Sequence, residues 1–176
     1  LRQIQTRGDY ELAEDAYIEI IAGKTAALCA CCCRVGAHYA GADSEREEAY
    51  ARYGRNLGIA FQIVDDVLDL LGDEATTGKS LGTDLEKQKP TLPVIRLLEV
   101  LGPEPRAELV AVLSRPEGRH REALRLPLER SDAIAYARQK AVWFAEKATE
   151  SLPSDSSSPA DQTLKELAEF VVTRDQ

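Results

Sequence analysis

Residues 59–71 read Ile-Ala-Phe-Gln-Ile-Val-Asp-Asp-Val-Leu-Asp-Leu-Leu. As a helix this stretch is apolar nearly all the way round, the pattern of a buried helix. It nevertheless carries Asp65, Asp66 and Asp69. At about 100° per residue these acids share one face. Gln62 lies a turn earlier on that face, with Gly58 and Arg55 before it, and Asp73 a turn later if the helix runs on. Like charges crowded on a buried helix repel one another and lose hydration, so something cationic has to offset them. Carboxylate oxygens suit a hard divalent ion, Mg²⁺ held together with substrate phosphates. The alternative, a solvated acidic face, conflicts with the apolar flanks.

The rest of the composition narrows the setting. A chain of 176 residues is long enough for one domain with a real core. It is rich in Ala, Leu and Glu and has three Phe and one Trp, which favours helix. A formal net charge of −8 argues against a general nucleic-acid binder. No uninterrupted apolar run approaches the roughly 20 residues of a membrane span, and no signal-peptide pattern opens the chain. The expected setting is cytoplasmic. The sequence contains no Met, which is read as the mark of a fragment of a larger helical protein. Cys29, Cys31, Cys32 and Cys33 fit no zinc spacing and are expected to be small buried residues.

In chain order, a polar lead-in precedes a helix expected to begin at residues 10–15, with acids in its first turn and Tyr17, Ile20 and Ile21 on its apolar stripe. Gly23-Lys24-Thr25 interrupts that stripe, and a run of small apolar residues follows as a buried, closely packed helix. Two readings stand for Lys24 and Thr25: a snorkelling surface pair, or a pair turned into a polar cavity to meet an anion. Gly41 is a natural helix stop, and His38 near that end is taken as structural. Ser44 and Glu47 form a capping box for the next helix, which reaches the acidic stretch directly or with a bend near Gly58. Further helices are expected from residue 93, around residues 109–113, over residues 133–151 behind a Ser131 or Asp132 cap, and over residues 163–172. A turn is expected at residues 102–105, a polar loop at 114–121 and an interruption at Pro127. No βαβ rhythm and no long-period repeat is present.

Residues 72–93 form a connection long enough to suggest a functional loop, rich in Gly, Thr and Lys. Lys79, Lys87 and Lys89 follow directly on the acidic helix. Carboxylates beside lysines suit a polyphosphate bridged by Mg²⁺. The segment ending in Gly78-Lys79-Ser80 approaches a nucleotide-binding P-loop, but its spacing is one residue too long and a helix, not a strand, precedes it.

Phe61-Gln62-x-x-Asp65-Asp66-x-x-Asp69, then Gly78-Lys79-x-x-Gly82-x-Asp84, then Lys89-Pro90-Thr91-Leu92-Pro93 resemble the trans-type polyprenyl diphosphate synthases. The upstream Gly23-Lys24-Thr25-Ala26 and the ending from Leu167 to Arg174 match as well. The resemblance covers essentially all of residues 1–176 and implies an all-α helical bundle of the isoprenoid synthase type, here its C-terminal half. It implies Mg²⁺ on Asp65, Asp66 and Asp69, and diphosphate contacts from Lys24, Thr25, Gln62, Lys79 and Lys89. It thereby favours anion contact for Lys24 and Thr25. The implied reaction condenses an allylic diphosphate with isopentenyl diphosphate, in a complete protein that is a homodimer.

Two departures stand out. Gln88 replaces the family's usual Gly before the lysine, an expected small change in loop geometry. The family's first aspartate-rich motif and the basic residues that bind isopentenyl diphosphate are absent, so this chain alone is expected to be inactive. Two other readings are a non-catalytic partner subunit and a terpene cyclase; the Lys89–Pro93 motif favours the synthase.

Overall fold

The computed structural model describes residues 2–71, 83–115, 120–153 and 158–174. Among the described residues every regular element is helical, as the composition and the resemblance implied. In order they are α1 (Arg2–Gln5), α2 (Glu14–Ile21), a π-helical turn (Ala22–Ala26), α3 (Ala27–Tyr39), α4 (Ser44–Leu71), α5 (Thr83–Glu86), α6 (Leu92–Val100), α7 (Pro103–Leu113), α8 (His120–Glu129), α9 (Ala133–Ser151) and α10 (Pro159–Thr173). The chain divides into two compact units, Leu1–Ile20 with Asp65–Arg138, and Ile21–Val64 with Gln139–Gln176.

The first unit is built on one apolar cluster. Leu70, Leu85, Val94, Leu97, Leu113, Leu124 and Ala133 are buried in it, and Tyr10 and Ile134 pack against it. Helices here start later or earlier than the sequence suggested. Tyr10 lies in a turn before α2, where its hydroxyl donates to the Leu113 carbonyl at 2.9 Å. The Gly102-Pro103-Glu104-Pro105 segment is no separate turn, because α7 already begins at Pro103. Proline suits that first position, which needs no N–H. Pro127 likewise lies inside α8 rather than breaking it. Burial of Leu124 and Leu128 on either side outweighs the lost hydrogen bond.

In the second unit α3 crosses α4 at very short range. A Cβ on Gly54 would stand 2.5 Å from the Cys29 carbonyl oxygen, and one on Gly58 would stand 2.6 Å from the Ala26 Cα. Only glycine at these two positions admits so close an approach. The α4 helix runs straight through both glycines, so there is no break near Gly58. Its start is capped by Asp43, one residue before the expected Ser44: Asp43 Oδ1 accepts from the Arg46 N–H at 2.8 Å. Glu47 bonds His38 Nδ1 instead of closing a capping box. Gly41 ends α3 in the left-handed region, φ 81°, as expected. Ala60, Ala145, Ala168 and Val171 form one small core of this unit, and Tyr53, Ala148 and Leu152 another.

Two sequence expectations are corrected along α3. The helix is not buried all round: Leu28, Cys31, Cys32, Val35 and Tyr39 are exposed, and the side carrying Ala26, Cys29 and Cys33 packs closely on α4. Nor does Gly23-Lys24-Thr25 interrupt the helical segment. The backbone widens into a π-turn there and continues, so Glu14–Tyr39 is one helical segment of 26 residues, long and apolar enough to cross a membrane by length and composition.

Candidate functional site

In the first unit the acidic end of α4 meets three other segments. Asp66 is 4% exposed, although it is a carboxylate on an apolar helix. The hydroxyl of Tyr17, itself 3% exposed, donates to Asp66 Oδ2 at 2.7 Å. Burial, followed by the charge of Asp66 and its hydrogen bond, pushes the Tyr17 phenol well above its ordinary range, so it keeps its proton and acts as a donor. The Asp84 charge pushes the same way, and the Leu92 N–H at the start of α6 pulls the phenol back. Asp69, partly buried, accepts the Asp84 backbone N–H on Oδ2 at 3.0 Å. The Asp84 carboxylate in turn holds the Lys89 ammonium in an ion pair whose members are about one-sixth exposed (17% and 16%). Asp65 is exposed. Arg121 closes the end of the helix, its Nε donating to the Leu70 carbonyl at 3.2 Å.

The backbone before Lys89 is unusual. Gln88 has φ 51°, the left-handed geometry that glycine adopts without cost. The position thus keeps a glycine-type backbone while carrying a side chain. Its carbonyl accepts from the Gly8 N–H at 2.8 Å and its Nε2 donates to the Ser114 carbonyl at 3.1 Å, contacts that hold the strained turn.

In the second unit Lys24 and Thr25 sit within the π-turn, a widened geometry that recurs at functional positions. Thr25 Oγ1 donates to Gln62 Oε1 at 2.9 Å, and Gln62 is 5% exposed. Lys24 is exposed. Near the chain's end, the Arg174 guanidinium stacks over the Phe61 ring at 4.3 Å. Cys29 and Cys33 are partly buried where α3 meets the glycines of α4, and burial pushes both thiols up. They therefore act as small packing residues rather than thiolates.

Asp66 and Asp69 are inside the first unit with dedicated donors, and Asp65 lies beside them on the same helix. Lys89 is held by Asp84. Thr25 and Gln62 are joined in the second unit. Lys79 lies outside the described residues, as do Asp73, Gly78 and Gly82. Tyr17 and the supporting role of Asp84 were missed. The only available signal for Tyr17 was that a tyrosine on a buried stripe needs an acceptor for its hydroxyl. Among the described residues no three His, Cys, Asp or Glu side chains are grouped closely enough to hold a metal by themselves. The carboxylate oxygens of Asp66 and Asp69 are the hard donors that suit Mg²⁺, which takes one or two protein carboxylates and completes its shell with water and phosphate oxygens.

The family profile described as polyprenyl synthetase matches residues 1–126. The short chain isoprenyl diphosphate synthase of Methanothermobacter thermautotrophicus is 37% identical over 166 residues, 94% of this chain and 51% of that protein. The octaprenyl diphosphate synthase of Escherichia coli is 32% identical over 99% of this chain and 54% of its own length. Among solved structures, a polyprenyl synthase from Caulobacter crescentus complexed with calcium and isoprenyl diphosphate superposes with a TM-score of 0.90 at 35% identity, covering 98% of this chain and 53% of that one. The chain thus spans about half the length of these relatives.

Proposed function

The chain belongs to the polyprenyl synthetase family, and from that premise we propose that it carries the allylic-diphosphate side of a Mg²⁺-dependent prenyl transfer site. Asp65, Asp66 and Asp69 are the proposed magnesium ligands. Lys24, Thr25, Gln62, Lys79 and Lys89 are the proposed contacts to the diphosphate oxygens. In the reaction the allylic C–O bond breaks and its electron pair leaves with the diphosphate. The allylic cation then adds to the double bond of isopentenyl diphosphate and a proton is lost. Bound magnesium supplies Lewis-acid stabilisation of the leaving group. The lysines add fixed positive charge where negative charge builds up. Buried Ile63 and Val67 place apolar surface beside the acids on the same helix. A homodimer is proposed for the complete protein.

One observation carries this reading. Asp66 is buried on an apolar helix with its carboxylate already held by Tyr17. A helix shaped only for packing has no use for such an acid. The test is titration of the purified chain with an allylic diphosphate, with and without Mg²⁺. Magnesium-dependent binding that falls at least tenfold in Asp69→Asn is expected, and no binding in wild type overturns the reading. Turnover with both diphosphates should be negligible for this chain alone, since the sequence lacks a second aspartate-rich cluster; robust product overturns that part. Cyclic hydrocarbons in place of longer linear diphosphates would point to a terpene cyclase. Stoichiometric capture of a second polypeptide carrying the other motif would point to a partner subunit.

A further inference from the structure

We propose that Gln88 is a positioning residue for Lys89: its side chain ties down the turn from which the Lys89 ammonium reaches a diphosphate. The inference rests on the diphosphate reading of Lys89 above. The turn that ends α5 is a Schellman motif with both of its characteristic bonds, the Gln88 N–H to the Leu85 carbonyl and the Lys89 N–H to the Asp84 carbonyl, each at 2.9 Å. That motif places its left-handed residue immediately before the lysine, and this residue is Gln88, φ 51°. A side chain in that conformation costs free energy that glycine would not. What Gln88 adds is an anchor that glycine lacks. Its Nε2 donates to the Ser114 carbonyl at 3.1 Å, just beyond the end of α7. Its own carbonyl accepts from the Gly8 N–H at 2.8 Å. The residue before Lys89 is thereby held from two sides, by segments far from it in sequence. On the other flank Pro90 confines Lys89 itself to extended backbone. The lysine backbone is therefore fixed, and its ammonium lies against the Asp84 carboxylate. An anion can draw the ammonium over by side-chain rotation alone, with no loop to order first. With glycine at position 88 the backbone gains freedom that has to be given up again on binding.

The experiment measures binding of inorganic pyrophosphate to the purified chain by isothermal titration calorimetry in the presence of Mg²⁺, and urea unfolding in the absence of both. Gln88→Gly keeps the backbone geometry and removes the tie. It is expected to weaken pyrophosphate binding about fivefold while the urea midpoint does not fall, since relief of strain offsets the lost hydrogen bond. Gln88→Met keeps the length of the side chain and the strain but has no donor for the Ser114 carbonyl, and the same loss of affinity is expected. Lys89→Met should also weaken binding, and in that background Gln88→Gly should have no further effect. Wild-type affinity in either position-88 variant, with weakened binding in Lys89→Met, overturns this inference and leaves the functional reading standing. A loss that persists without the Lys89 ammonium, or one accompanied by a lower urea midpoint in Gln88→Gly, assigns Gln88 a purely structural role and also overturns it. Full affinity in Lys89→Met removes Lys89 from the site and the inference with it. Absence of Mg²⁺-dependent pyrophosphate binding in wild type overturns both.

Discussion

Gly54→Ala tests the close crossing of α3 on α4. In an exposed helix interior the change would stabilise by about 1 kcal/mol through helix propensity. Here the new Cβ would lie 2.5 Å from the Cys29 carbonyl oxygen, 2.8 Å from its carbonyl carbon and 2.8 Å from Cys33 Sγ. The sulfur can turn away, but the carbonyl belongs to the α3 backbone and cannot. Ordinary contact begins at 3.4 Å, so the helices must part by several tenths of an ångström. Overpacking costs about 1–3 kcal/mol, and a rigid backbone obstacle belongs at the upper end. Set against the propensity gain, the net loss is about 2 kcal/mol, or roughly 4–8 °C in melting temperature for a chain of this size. Gly36→Ala is the matched control. It lies in the same unit, inside α3, with nothing within 4 Å of the added atom. It should stabilise by about 0.5–1 kcal/mol. Thermal and urea unfolding followed by far-ultraviolet circular dichroism measure both. Adding Cys33→Ala to Gly54→Ala should recover little, because the carbonyl clash remains. A Gly54→Ala chain as stable as wild type would refute the close-approach argument.

Two further outcomes follow from the same coordinates. At position 88 Gly should be more stable than Ala by about 1 kcal/mol, the reverse of the usual order, because φ is 51° there; equal urea midpoints for the two variants would rule out strain. The Tyr53 phenol, which donates to the Leu164 carbonyl at 2.7 Å, is pushed up to about 12, chiefly by burial. Its contribution should therefore be intact below the ordinary tyrosine value of about 10 and be lost as pH rises from there to 12. Tyr53→Phe, measured by denaturant titration across that range, should lack this component of the alkaline loss.

Legibility in the sequence followed the range of the interaction. The bounds of α9 matched the expected residues 133–151, because small apolar residues recur at helical spacing and Ser131 and Asp132 mark its start. Gly41 was equally plain, since a left-handed stop is a local demand. The acidic face was visible because helical geometry alone brings residues 65, 66 and 69 together. The exposure of α3 was not visible: small residues all round are compatible with any number of packed sides, and only the Gly54 and Gly58 contacts show that α4 takes one of them. The π-turn was hidden for a different reason. A glycine and a lysine inside an apolar run look like a break, and nothing local shows that the helix widens instead. Pro127 misled similarly, because propensity was weighed without the burial on either side of it.

The partners of the aspartates were beyond local reach. Tyr17 reaches Asp66 across 49 residues, and the Asp84 N–H reaches Asp69 across 15. The two contacts have a common physical character. A phenol and a peptide N–H both hold a carboxylate in place through directional hydrogen bonds, yet neither carries a full charge. Had the fold supplied arginine at those two points, each acid would be neutralised and its affinity for a divalent cation reduced. Lys89 pairs with Asp84, the residue whose backbone serves Asp69. A diphosphate approaching Lys89 would thus compete with Asp84 for the ammonium, and any movement of the Asp84 segment would be felt at Asp69. The Lys89 ammonium and the Asp69 carboxylate are in this way joined through one residue, Asp84, within one compact unit of the chain.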